Sequence, residues 1–230
     1  MTMTKDAVAD FWDAIFFDFD GVLCDSLHAK ADAYAALYEG QGEDVQQAIR
    51  DFHLANGGMS RAEKIARFEE RQFGRAPSPE RLNALVEQFA AAVESAVVAS
   101  AWIAGAKDFV ERHQGRLPMF IISATPEEEL LRIAEARSMT AGFTAIHGWP
   151  KTKGQTICHL LDEGGWAPSR CVMIGDAIVD YRAAEEAGTP FIGVLAPGET
   201  SPFPAGTTVI PDLKDLEEML LALGRERAVG

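Results

Sequence analysis

The run Ile15-Phe16-Phe17-Asp18-Phe19-Asp20-Gly21-Val22-Leu23 decides the reading of this chain. An apolar strand pattern ends on two carboxylates two residues apart and then meets a glycine turn. Residues i and i+2 of a strand point to the same face. Continued extension would therefore crowd two negative charges, an arrangement a fold keeps when a cation or a reaction uses it. By itself the Asp-x-Asp reads more readily as a strand end with solvated acids. Three later segments shift the balance toward chemistry.

Met119-Phe120-Ile121-Ile122-Ser123 is an apolar run ending in a hydroxyl, and Ala124-Thr125-Pro126-Glu127 follows it. The pattern predicts strand, turn and helix start, with Pro126 at the first helical position. Lys153, in Pro150-Lys151-Thr152-Lys153-Gly154, precedes a helical stretch over residues 155–161 and places an ammonium beside the same crevice. Cys171-Val172-Met173-Ile174-Gly175-Asp176 is again an apolar run closed by glycine and acid, with Asp180 four residues on. Together these segments supply two acids, a hydroxyl, a lysine and further acids.

Strand patterns over residues 118–123, 145–147, 171–175, 190–195 and 208–210 alternate with helical ones. That predicts an α/β fold, a doubly wound parallel sheet with helices on both faces. Ligands of such sheets bind outside the carboxyl ends of the strands, where all the segments above fall. Residues 27–100 break the alternation, with no strand signal and several helical stretches. Ser78-Pro79-Glu80 makes a helix start, and Leu82, Leu85, Phe89 and Val93 recur at helical spacing. The expected organisation is a core domain of residues 1–25 and 101–230 with an inserted α-helical cap of residues 26–100. Hinges are expected near Cys24-Asp25-Ser26 and residues 100–105. A lid of this kind excludes water and favours small substrates.

Within the cap, Asn56-Gly57-Gly58-Met59-Ser60-Arg61-Ala62-Glu63-Lys64 reads first as a glycine turn feeding a helix, with Ser60 and Glu63 in capping-box spacing. Gly57 and Gly58 also let backbone approach a ligand. Arg61, in the first helical turn, runs against the dipole preference for acids there and so invites an anion. Lys64 is the next candidate, with His53 and Asn56 behind it, because a helix-face histidine is more often solvated or packed.

Composition fits a single enzyme domain with its insert. The chain has 230 residues, 47% of them hydrophobic, enough to bury a large core. No uninterrupted apolar run approaches the roughly 18 residues of a membrane span. Residues 1–13 carry acids and read as a short polar lead-in rather than a signal sequence. Cys24, Cys158 and Cys171 are odd in number and unpaired in spacing, which predicts reduced thiols and a cytoplasmic setting. A formal charge of −14 argues against nucleic acid and anionic membranes as partners and requires a local basic patch for any anionic substrate. Trp102, Trp149 and Trp166 lie near loops and read either as a contact surface or, preferred, as ordinary packing residues; oligomeric state is not legible.

The ordered set Asp18-Phe19-Asp20-Gly21, Ser123, Lys153 and Gly175-Asp176-Ala177-Ile178-Val179-Asp180 resembles the four motifs of the haloacid dehalogenase superfamily. The helical cap and its Gly57-Gly58 to Lys64 loop are similar to those of the phosphoglycolate phosphatase and β-phosphoglucomutase-like branch. The motif lysine is Lys153 or Lys151, with Lys153 preferred because Lys-Gly-Gln-Thr-Ile resembles the form in which that lysine opens a helix.

The resemblance implies a Mg2+-dependent phosphatase acting on a small phosphate monoester, phosphoglycolate- or sugar-phosphate-like, through an aspartyl-phosphate on Asp18. It implies Asp18, Asp176 and the backbone carbonyl of Asp20 as metal ligands, an oxygen set suited to magnesium. Ser123 and Lys153 would hold the transferring phosphoryl group. Asp20 would protonate the leaving oxygen and then take a proton from water. Its presence separates this chain from the dehalogenating branch. Asp180 supports the metal ligands, pairs with Lys153, or caps a helix over residues 181–187. Asp25 and Ser26 match the family pattern or are a loop acid and a helix cap.

Arg61, with Lys64, would grip a distal carboxylate or second phosphate. A β-phosphoglucomutase-like mutase would need a histidine ten residues after Asp20. That position is Lys30, and the nearest histidine is His28. A phosphonoacetaldehyde hydrolase would need a cap lysine as Schiff base, and Lys64 sits between Glu63 and Arg67 on what reads as an ordinary charged face. A non-catalytic module would be expected to have lost a motif residue, and none is missing.

Overall fold

In the computed structural model, which describes residues 7–229, the apolar runs pair as one parallel sheet. Its strands are β1 (Ala14–Phe17), β2 (Met119–Pro126), β3 (Ala145–Trp149), β4 (Cys171–Gly175), β5 (Phe191–Val194) and β6 (Val209–Ile210), in the order β3-β2-β1-β4-β5-β6. The central trio holds Ile15 against Met119 on one side and Val172 on the other. Alternation along each strand sorts the side chains to two faces. Phe16, Phe120, Ile122, Cys171 and Met173 pack under α7 (Lys153–Gly164) and α8 (Ile178–Ala187). Ile15, Phe17, Ile121, Val172 and Ile174 face the opposite layer, α5 (Ala106–His113), α6 (Glu127–Ala136) and α9 (Leu216–Val229). The doubly wound sheet is the fold expected.

Between β1 and β2 the chain forms α1 (Leu27–Ala36), α2 (Glu43–Ala55), α3 (Arg61–Phe73) and α4 (Pro79–Ala99), with no strand among the described residues there. Ser78 caps α4 by accepting from the Arg81 N–H, and Leu85, Phe89 and Val93 are buried at the expected spacing. The 21 residues of α4 include an 18-residue window of mean hydropathy 1.3, long and apolar enough by composition to cross a membrane, where no such run was expected. Glu87 and Glu94 interrupt it, which hides the length from a search for unbroken apolar runs. The segments entering and leaving this region run side by side: Asp25 N–H donates to Ala101 O at 2.9 Å, and Ile103 N–H donates to Leu23 O at 3.0 Å.

Four local expectations are corrected. Residues 1–6 of the supposed polar lead-in lie outside the described residues, but Val8 and Trp12 are fully buried, and the Trp12 indole donates to Leu220 O on α9. Pro126 ends β2 and precedes α6 rather than opening it, because its ψ of 135° is extended. Helix α8 starts at Ile178, so Asp180 lies in its first turn and is not its cap. Trp149, at 52% exposed, is also no packing residue.

Candidate active site

The carboxyl ends of β1, β2 and β4 meet the loop before α3, and every motif side chain converges there. β1 stops at Phe17, and the chain then folds over itself: Phe19 O accepts from the N–H groups of both Leu23 and Cys24 at 3.0 Å. This turn parts the two acids that an extended strand would have stacked. Gly21 makes it possible, with φ of +74° and a position where a Cβ would come within 2.3 Å of Asp176 Oδ2.

Asp18 is buried. Its Oδ1 accepts from the Phe19 N–H at 2.7 Å, and its Oδ2 pairs with Lys153 Nζ at 2.8 Å. Lys153 is the first residue of α7, whose N-terminus is fixed by a Thr152–Gln155 capping box, and its ammonium also reaches Asp180 Oδ1 at 2.6 Å. Lys151, the alternative, is exposed. Asp180 turns its other oxygen back to the Ala177 N–H at 3.0 Å, so it acts as partner to the lysine and tie for the α8 N-terminus at once. Ser123 is buried on β2 and accepts from the Thr125 N–H at 3.1 Å.

Asp20 has both oxygens engaged, Oδ1 by Ser26 Oγ at 2.5 Å and Oδ2 by Lys30 Nζ at 2.6 Å. Ser26 was read as a possible helix cap; its hydroxyl makes no cap bond and serves Asp20 instead. Lys30 bridges on to Thr125 Oγ1 at 3.1 Å. Burial raises the Asp20 carboxyl, but Lys30 and Ser26 outweigh it and hold the group below the ordinary carboxylate range.

Asp18, Asp176 and Asp180 offer carboxylate oxygens within 4.8 Å of one another. Burial is the largest influence on Asp18 and pushes it up to about 7 despite Lys153; burial together with Asp18 and Asp180 drives Asp176 well above its usual value. Lys153 is raised by the same two carboxylates, Asp18 and Asp180, against its own burial. Acids crowded this far, with a donor set that is all oxygen, fit a hard divalent cation.

The cap side of the site is lined by Tyr34, His53, Gly57, Gly58, Met59, Arg61, Lys64 and Phe89. Gly58 has φ of +72°, and a Cβ there would lie 2.0 Å from Val179 Cγ2, so what the glycine loop approaches is the start of α8. Arg61 opens α3, stacks 4.6 Å from the Phe89 ring, and gives Nη2 to both oxygens of Glu129 on α6 at 2.6 and 2.9 Å. Lys64 does not lie on a charged face. It is 2% exposed and its Nζ sits 2.8 Å from His53 Nδ1. Burial, then Lys30, pushes Lys64 down to about 7; burial, then Lys64, pushes His53 down to about 3. The Asn56 side chain donates back to Phe52 O, and Asp25 is exposed.

Sequence reasoning passed over Glu129 and Thr125 and gave Lys30 no task beyond marking a missing histidine. Glu129 is one of three successive glutamates at a helix start, where acids serve the dipole anyway; only the packing of α3 against α6 distinguishes it.

The family model described as haloacid dehalogenase-like hydrolase matches residues 12–188. The validoxylamine A 7'-phosphate phosphatase of Streptomyces hygroscopicus subsp. limoneus is 24% identical over 210 residues, 87% of this chain and 93% of that protein. Two solved structures share the fold with a TM-score of 0.74 and 18% identity. A predicted phosphoglycolate phosphatase from Haemophilus somnus 129PT covers 90% of this chain and 97% of its own. A β-phosphoglucomutase from Clostridium difficile covers 95% and 100%.

Proposed function

The chain belongs to the haloacid dehalogenase-like hydrolases, and on that premise we propose that it is a magnesium-dependent phosphatase of a small phosphate monoester. The observation that carries this reading is the pairing of Asp18 with Lys153 at the carboxyl edge of the sheet, with Asp20 held beside them by Ser26 and Lys30. The relative named as a phosphatase of validoxylamine A 7'-phosphate supports the same class.

Asp18 is the nucleophile. One of its oxygens forms a bond to phosphorus while the bond from phosphorus to the ester oxygen breaks, and the departing oxygen takes a proton from Asp20. Lys30 and Ser26 hold Asp20 as a carboxylate in the free protein, so it has first to gain that proton as the anionic ester enters. Water then attacks the phosphorus of the aspartyl-phosphate, gives its proton to Asp20, and releases phosphate with the Asp18 carboxylate restored. Ser123 and Lys153 hold the phosphoryl oxygens, Lys153 being fixed by Asp180 so that no reorganisation is needed as charge moves. Asp18, Asp176 and the Asp20 carbonyl would hold magnesium, which would supply the positive charge that lets an anionic carboxylate meet an anionic phosphate. Gly57 and Gly58 bring the cap loop over the site, and Arg61 and Lys64 line the space for the rest of the substrate.

The test is phosphate release from sugar phosphates, phosphoglycolate, nucleotides and p-nitrophenyl phosphate, with magnesium and with chelator. Metal-dependent release is expected, lowered about 10³-fold or more in Asp18→Asn. Undiminished release by that variant would remove Asp18 as nucleophile. A second reading draws on Lys64, a buried amine held near neutrality that lines the cavity and could attack an aldehyde. Borohydride added with phosphonoacetaldehyde would trap a Schiff base on Lys64 under that reading, and leaves the protein mass unchanged under the phosphatase reading.

A further inference from the structure

Two of the three cations on the cap side of the site, Lys30 and Arg61, are answered by carboxylates. Lys30 is spent on Asp20 at 2.6 Å. Arg61, with a side chain 10% exposed, gives one nitrogen to both oxygens of Glu129, which is 5% exposed. Lys64 has one polar partner, the ring of His53, and lies 5.6 Å over the face of Tyr34. Its burial holds it near neutrality at ordinary pH, where an amine both donates to and accepts from hydroxyl groups. A carboxylate or second phosphate entering here would lose its water, find Lys30 and Arg61 already matched, and have only Lys64, whose charge burial disfavours, to pair with. An uncharged hydroxylated group would find the Lys64 amine and the Tyr34 and Phe89 rings that line the same wall.

We infer that Glu129 is a specificity residue: by holding Arg61 it withdraws the grip for a second anion, and the space beyond the phosphate takes an uncharged, hydroxylated body. This rests on the phosphatase reading only for where the phosphate sits. A body too large for the enclosed cavity of about 60 Å³ has an adjoining groove of about 520 Å³, which shares Gly58, Met59, Ser123 and Lys153 with it. On that groove Arg67 is paired with Glu63 at 2.6 Å, while Lys151 and Arg182 line its core side.

The test is binding, so that turnover is not the readout. Phosphonate isosteres, with CH2 in place of each ester oxygen, of fructose 6-phosphate, fructose 1,6-bisphosphate and phosphoglycolate are titrated calorimetrically into the wild-type protein with magnesium. The isostere of the uncharged body is expected to bind at least about tenfold more tightly than the other two. Glu129→Gln, which keeps the shape and frees Arg61 from its counter-charge, is expected to shrink that ratio about fivefold or more, and adding Arg61→Met is expected to cancel the change. Equal or tighter binding of either doubly anionic isostere by the wild type, or no binding of any, overturns the inference. So does a Glu129→Gln protein that weakens all three alike; should that variant not fold, the wild-type ratio decides alone. The expected ratio without phosphate release from the corresponding esters would refute the phosphatase reading and support the subsite.

Discussion

Lys64 illustrates how a single residue changes meaning between sequence and fold. Read along α3 it is one charge among Glu63 and Arg67; in space it is enclosed with His53 and Tyr34. Its folded value of about 7 lies below the ordinary 10.5, so between those values the unfolded chain binds one proton more than the folded one. Stability therefore rises as pH climbs from about 7 toward 10.5. Lys64→Met should abolish that slope and stabilise the protein at pH 7 by about 1–4 kcal/mol, while weakening substrate binding. Urea unfolding at two pH values checks it; a destabilised variant at neutral pH would mean that Lys64 is not held against its charge. Helical spacing around Ser60 and Arg61 was legible, but the burial of Lys64 was not, because it depends on α2 and α3 packing together around His53.

At the scale of elements, α4 and α6 are joined by the exposed Arg132–Glu94 ion pair and, at their ends, by Arg137. The last carbonyls of a helix have no partner within it, and Arg137, just beyond α6, brings Nη1 to Val97 O, Val98 O and Ser100 O at 2.8, 2.9 and 2.7 Å. Its guanidinium also lies 5.7 Å over the Trp102 ring. Arg137→Met should cost about 1–3 kcal/mol, the usual penalty for leaving such acceptors without a donor. Denaturant unfolding reads this, and an unchanged midpoint would mean that water replaces the arginine. Start signals such as Ser78-Pro79 for α4 and Thr152 with Gln155 for α7 were readable, since a cap is a local bond. The end of β2 was misplaced because its length is set by pairing with β3, where Pro126 lies opposite Trp149.

For the whole molecule, the convergence of Asp18, Asp176 and Asp180 makes the site a store of repulsion that a cation relieves. From 3.8 to about 7 the folded state keeps a proton on Asp18 that the unfolded chain has released, so without metal this group costs stability as pH rises across that window. Magnesium should remove the loss: at about 100 times its Kd it adds about 2.7 kcal/mol, and Asp176→Asn should forfeit that gain. Melts at pH 5 and 7.5, with magnesium and with chelator, decide it. An identical pH response in both would exclude a cation among these acids. The sequence by itself determined the strand and helix alternation, the turn after Asp18 and the order of the acids, hydroxyl and lysine, because periodicity, glycine and short-range capping are properties of neighbouring residues. Only the tertiary structure decided which charges meet. Lys153 rather than Lys151 faces Asp18, Lys30 answers Asp20, and Glu129 answers Arg61. Two of those pairs, Lys153 with Asp18 and Arg61 with Glu129, join residues far apart along the chain, and a charge does not reveal its partner until the elements that carry the two are packed.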